Sequence, residues 1–239
     1  MSRSTYTVPW WNRLGRFLII PLFRLAFRLL YRPRVLGLEN IPAAGPYMLV
    51  YNHVSIVDPP FVICCLRDLP EVLGAVDIWY KPWQNLLAWI YGAIPIHRGE
   101  VDRLAMEKCL AALRSGRPLL VAPEGGRSHV PGLRRAKSGV VYMIESTHVP
   151  IVPMGITGTT DAELKLALRG KRPDLVLRVG EPFILPDQIL QGQSPKEARQ
   201  AKADYIMGQL AALLPEAYHG VYAKTAAKPI DHVQAPEPD

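Results

Sequence analysis

The first 34 residues contain no aspartate, no glutamate and no lysine. They contain seven arginines: Arg3, Arg13, Arg16, Arg24, Arg28, Arg32 and Arg34. These account for the whole formal net charge of +7, because bases and acids balance over the remainder. A charge-balanced body argues against a nucleic-acid-binding domain, which carries a basic face across its fold. It leaves a basic segment suited to anionic lipid or another anionic polymer.

Cysteine is scarce. Cys64, Cys65 and Cys109 form no CxxC pair and leave an odd count. Core packing is the plainer role for the adjacent pair, and a reducing, cytosol-facing compartment fits best. Long apolar runs are also missing. The longest uncharged one, residues 86–96, has 11 residues and contains Gly92 and Pro95; a membrane span needs roughly 20. The basic segment is not expected to be a cleaved signal, because arginines continue past its short apolar stretch. No histidines or cysteines stand at metal-ligand spacing. There is no GxSxG elbow and no Walker or Rossmann fingerprint. What is present is ordinary globular material: 239 residues, 49% hydrophobic and 21% charged, enough for one large α/β domain.

On a helical wheel, Arg13, Arg16, Arg24, Arg28 and Arg32 share one sector, and Leu18, Leu22, Leu25 and Leu29 share another. Pro21 is expected to kink this helix or split it. Trp10, Trp11 and Tyr31 bracket it, and such rings favour the water–lipid boundary. This is the pattern of a helix lying in a membrane interface, where each arginine near an anionic surface contributes about 1 kcal/mol. The alternative is an amphipathic helix packed on its own domain, with the arginines in water. Residues 1–34 are set apart as this arm, residues 35–223 as the body and residues 224–239 as a Pro-rich, disordered tail.

The body alternates short apolar runs with helical patterns. Strands are expected over residues 47–51, 72–76, 93–96, 119–122, 151–156 and 175–179. Helices are expected over 59–69, 83–91, 101–114 and 137–146. A last helix opens at Ser194-Pro195-Lys196-Glu197, a capping box with proline at the first position, and runs to about residue 214. The expected architecture is a single α/β domain with a largely parallel central sheet flanked by helices, preceded by the N-terminal amphipathic helix. Ligand sites in such sheets lie at the carboxyl ends of the strands.

The unusual polar residues fall at those ends. Asn52-His53-Val54-Ser55 and Asp58 follow the first buried strand. On a turning loop Asp58 can hold one nitrogen of His53 and leave the other as a general base. Asp58 followed by Pro59 is equally a good helix N-cap. Arg98 follows the third strand, where its guanidinium can grip a phosphate or simply be solvated. Glu124-Gly125-Gly126-Arg127-Ser128 follows the fourth; its glycines allow close backbone approach to a ligand, or Glu124 makes a structural ion pair.

Taken in order, NHxSxxD, GxIPxxR, PEGxRS and VPIVP resemble the four-block signature of the glycerolipid acyltransferases. These are the 1-acylglycerol-3-phosphate acyltransferases and related lysophospholipid acyltransferases, and the likeness covers residues 35–222. The chain departs from the pattern at Gly126, where the family usually has threonine, and at Ala122, where it has an aromatic. Lys137 matches a basic position after the third block. The resemblance implies an O-acyltransferase that moves a fatty acyl group from acyl-CoA or acyl-carrier protein to a lysophospholipid hydroxyl. His53 and Asp58 would be catalytic. Arg98, Glu124, Gly125, Gly126, Arg127 and Lys137 would bind the acceptor. No metal and no cofactor beyond the acyl donor is implied, and the expected location is peripheral, on the cytoplasmic face of a membrane with anionic lipids. The same chemistry on another lysophospholipid or a lipid-linked amine, and a non-catalytic lipid-binding module, are the competing expectations.

Overall fold

The computed structural model describes residues 6–100, 102–186 and 194–224. Most of the expected tail, residues 225–239, lies outside the described residues. So does residue 101, where the third expected helix begins.

Seven strands form one sheet: β1 (Arg32–Leu36), β2 (Met48–Tyr51), β3 (Glu71–Ala75), β4 (Ile94–Ile96), β5 (Leu119–Val121), β6 (Ile151–Thr157) and β7 (Asp174–Val179). The spatial order is β1-β7-β6-β2-β5-β3-β4. The run from β6 to β4 is parallel, and β7 turns antiparallel to β6 with β1 parallel beside it. The helices are α1 (Trp10–Leu30), α2 (Asp58–Cys65), α3 (Pro82–Tyr91), α4 (Arg103–Arg114), α5 (Gly139–Thr147), α6 (Asp161–Leu168) and α7 (Pro195–Ala211).

The central strands are covered on both faces, which is why β2 and β5 are unbroken apolar runs. Every residue of β2 is buried. Met48 and Val50 pack into one core with α4, α5 and α7. Leu49 and Tyr51 pack into the other with α1, α2 and α6. This is the two-residue period of a strand serving two cores at once. Between β5 and β3 the sheet is thin. They pair only through Leu119 with Glu71 and Leu120 with Val72, after which β3 continues with β4 alone.

All six expected strands form, each within about a residue of its predicted limits. β1 was not expected. Its sequence RPRVL is charged and holds a proline, which an edge strand tolerates. α6 was also not expected, although Thr160 and Glu163 form a complete capping box. The capping box expected at Ser194 and Glu197 is present, and that helix ends earlier than expected, at Ala211.

α1 differs most from expectation. It runs from Trp10 to Leu30 without a break, Pro21 included. Two of its polar residues, Asn12 and Arg16, turn inward. Arg16 is buried and makes a two-toothed ion pair with Glu71, Nη1 to Oε1 at 3.0 Å and Nη2 to Oε2 at 2.7 Å. Tyr6 Oη and Arg117 Nε bond the same carboxylate, at 2.8 and 2.6 Å. The Arg16 guanidinium also lies 4.3 Å from the Tyr91 ring centroid. Asn12 donates to the Trp89 and Ile90 carbonyls, and Arg24 to those of Cys64 and Leu66. Gly15 permits this approach to α3: a Cβ there would lie 2.7 Å from the Ile90 carbonyl oxygen. The leucine stripe faces out, with Leu18 60% and Leu22 66% exposed. The expectation that the arm's arginines all face solvent or lipid therefore fails for Arg16, while Arg24 stays exposed and bonds the Cys64 and Leu66 carbonyls. A buried carboxylate on β3 demands cations, and α1 supplies one of them.

Candidate active site

His53 follows β2 directly, on the loop that turns into α2. Its Nδ1 lies 2.9 Å from Asp58 Oδ2. The same oxygen accepts the backbone N–H groups of Val54 and Ser55, each at 2.7 Å. Asp58 is fully buried, and its Oδ1 has no hydrogen-bond partner among the described residues. The expected N-cap role is not the one observed. Asp58 is the first residue of α2, and its carboxylate reaches back to residues before it. That backward reach closes the loop around His53. Nδ1 is the protonated nitrogen in this arrangement, because a carboxylate only accepts. Nε2 is left as the basic atom.

Two further clamps hold the loop. The Asn52 side chain exchanges paired hydrogen bonds with the Ile156 backbone on β6, at 2.9 and 2.7 Å. Asn52 thus ties the His53 loop to β6. Glu124 is buried and accepts N–H groups from His53 and Arg134, both at 3.0 Å. Burial pushes its carboxyl above the usual range, against the pull of those two N–H groups. Ser128 and His129 then donate to the carbonyls of His53 and Val54, at 2.7 and 3.2 Å. The first and third sequence blocks are thus stitched side by side.

A cavity of about 940 Å³ opens beside His53. Val72, Leu73 and Gly74 line it from β3, and Leu120 and Val121 from β5, so it sits where those strands part. Ile19, Ile20 and Phe23 of α1 wall one end. Arg98, Gly125, Gly126, Arg127 and Lys137 line it as well. Of the expected site residues, Asp58 and Glu124 do not line the cavity: Asp58 is buried behind His53, and the Glu124 carboxylate ties two loops together. Gly125 has φ +71, a turn conformation that favours glycine. Arg98 has its pKa lowered, first by partial burial and then by the nearby Arg127 and Arg134, with Asp77 and Tyr51 opposing. Arg134 was not singled out from sequence; its Nη2 donates to the Gly126 carbonyl.

A second pair repeats the five-residue spacing. His97 Nδ1 lies 2.8 Å from Asp102 Oδ2, and both residues line the cavity. It differs in kind. The His97 side chain is 61% exposed, against 11% for His53. Asp102 also caps α4 through Ala105 N–H, and the N–H groups of Ala105 and His97 pull its carboxyl down to about 2. The three cysteines take no part as nucleophiles. Burial pushes the Cys64 thiol up to about 11 and those of Cys65 and Cys109 to about 12.

Fold and site together define an α/β protein with a carboxylate-held histidine at the carboxyl edge of a parallel sheet, over an apolar cavity bordered by arginines. The Acyltransferase family model matches residues 32–157, more than half of the chain, and the chain belongs to that family. Among similar proteins, the 1-acyl-sn-glycerol-3-phosphate acyltransferase alpha of Mus musculus is 25% identical over 83% of this chain and 70% of its own length. The 1-acyl-sn-glycerol-3-phosphate acyltransferase of Borreliella burgdorferi is 27% identical, and the match covers 55% of this chain and 53% of that protein. The chloroplastic enzyme BAT2 of Brassica napus is 28% identical, over 54% of this chain and 38% of its own length. The chain thus spans less than two thirds of the last two relatives. The crystal structure of the 1-acyl-sn-glycerophosphate acyltransferase of Thermotoga maritima has the same fold, with a TM-score of 0.61 at 23% identity, over 82% of this chain and 78% of that one.

Proposed function

We propose that the protein transfers a fatty acyl group from an acyl thioester, acyl-CoA or acyl-carrier protein, to the free hydroxyl of 1-acylglycerol-3-phosphate, giving phosphatidic acid. The observation that carries this reading is the 2.9 Å His53–Asp58 contact at the wall of an apolar cavity that arginines border. His53 Nε2 takes the hydroxyl proton as the oxygen attacks the thioester carbonyl. Asp58 fixes the ring and stabilises the imidazolium that forms. The C–O ester bond forms, the C–S bond breaks, and the departing sulfur leaves with that proton as a thiol. Arg98, Arg127 and Lys137 hold the acceptor's phosphate. The names of the relatives above support the same acceptor.

Both acceptor and product of such a reaction live in a bilayer, and the protein has a face for it. Among the described residues no helix is long and apolar enough to cross a membrane. The outward leucines of α1 and the exposed Trp83 and Trp89 of α3 belong to two helices that Asn12 and Gly15 hold together. We place this face on the cytoplasmic surface of a membrane by apolar insertion, with exposed Arg13, Arg28 and Arg32 to meet anionic head groups.

The test is transfer of labelled acyl groups to lysophosphatidic acid by wild type and His53→Ala. General-base loss costs about 10²–10⁴ in kcat, with an unchanged melting curve. A folded His53→Ala protein with wild-type kcat would sink the mechanism. Wild type without transfer to any lysophospholipid would sink the function.

A further inference from the structure

We infer that Arg134 is a specificity-determining residue that makes the acceptor site select a phosphomonoester over a phosphodiester head group. The inference rests on reading the cavity as the acceptor site. Gly126 lines that cavity. A Cβ built on Gly126 would lie 3.4 Å from Arg134 Nη2 and 3.6 Å from Arg98 Cζ. Two guanidinium groups therefore converge on the point where the resembling family carries a threonine side chain. A branched side chain there would compete with both for space.

Arg134 is aimed at this point. Its Nη2 donates to the Gly126 carbonyl, and its Nε lies 3.6 Å from Glu124 Oε2. Glu124 is in turn buried and held by two backbone N–H groups. Burial and the nearby Arg127 and Arg134 lower the pKa of Arg98, with Asp77 and Tyr51 opposing. Three guanidinium groups gathered about Gly126, with Asp77 and Glu124 offsetting part of their charge, favour a ligand carrying more than one negative charge. A phosphomonoester carries about −1.5 to −2 at neutral pH and offers three terminal oxygens. A diester carries one charge, offers two such oxygens, and must place a substituent where the third would be. The third arginine thus has an oxygen to bond only in the monoester. The missing threonine hydroxyl is replaced by a cation, so the departure at Gly126 narrows acceptor choice.

The experiment uses two soluble head groups, glycerol 3-phosphate and glycerophosphocholine, as competitive inhibitors of the acyl-transfer reaction. Calorimetric titration of the same ligands reads discrimination without turnover. In Arg134→Ala the constant for glycerol 3-phosphate is expected to weaken about tenfold, and that for glycerophosphocholine by no more than about twofold. Arg134→Lys should recover part of the loss, since it keeps the charge and loses the fork. Gly126→Thr should lose discrimination too, and the double variant should be no worse than the stronger single one, because both changes act at one point. Melting curves verify folding, and Arg134→Gln replaces the alanine variant if that one unfolds. Equal weakening of both ligands, no change in either, or full additivity of the two substitutions would overturn the assignment. Wild type that binds glycerol 3-phosphate selectively but transfers no acyl group would overturn the proposed function and leave the assignment standing.

Discussion

Asp58 Oδ2 accepts from three donors at once, the His53 ring and two backbone N–H groups. Removing its charge therefore tests catalysis and loop geometry separately. Asparagine can still accept the backbone bonds through its oxygen, but it stabilises a positive ring poorly. Asp58→Asn should lower kcat by about 10² or more and leave KM within a fewfold. Steady-state kinetics alongside a melting curve measure both. A fall confined to KM would assign Asp58 to binding. At this scale the sequence singled out His53 and Asp58, which the fold pairs, and Arg98 and Arg127, which line the same cavity as His53. It was silent where a polar side chain serves the backbone. Asn52 bonds a strand 104 residues away and Glu124 a loop 71 residues away, and nothing local to either residue marks that partner.

α1 shows the same limit for an element. Its amphipathic pattern was legible from arginine and leucine spacing, but the direction of each stripe was not. That direction depends on Glu71, which lies 55 residues beyond Arg16 and is buried as the first residue of β3. A buried carboxylate drew Arg16 inward. β1 was missed because edge strands carry charge and proline, and α6 although its capping box can be read in the sequence. Burial alone would raise the Glu71 carboxyl, but the bonds from Arg16, Tyr6 and Arg117 hold it below the usual range. Its contribution is therefore complete above the unfolded carboxylate pKa of about 4.3 and is lost as pH falls through the lower folded value. Glu71→Gln leaves a buried cation unpaired and should cost about 3–5 kcal/mol at pH 7. The gap between wild-type and variant melting temperatures should narrow at pH 3. A gap that is the same at both pH values would show that the carboxylate charge contributes nothing.

Across the whole molecule, the parallel sheet and the order of its functional loops were legible because buried strands leave uninterrupted apolar runs with chemistry at their ends. The cavity was not, since it arises where β3 and β5 cease to pair. The outward apolar face of α1 and α3 emerges only when two separated helices are brought together. Leu18→Glu with Leu22→Glu should leave folding intact, because both side chains are exposed. It should weaken binding to phospholipid vesicles by tenfold or more, since a buried leucine contributes about 1.5–3 kcal/mol. Vesicle sedimentation measures this. Binding that falls with salt yet ignores the double substitution would assign attachment to the remaining arginines.

The Arg16–Glu71 pair acquires a second meaning on this reading. One end of the bond belongs to the helix we place against the lipid, and the other to the central sheet that carries His53. A rigid, desolvated link between them acts as a keel, holding the histidine at one height above the bilayer plane. Lysophospholipids are themselves anchored at a fixed depth by their acyl chains. Which hydroxyl along the glycerol meets the base is then partly a question of altitude, decided by the tether before any contact with the head group is made.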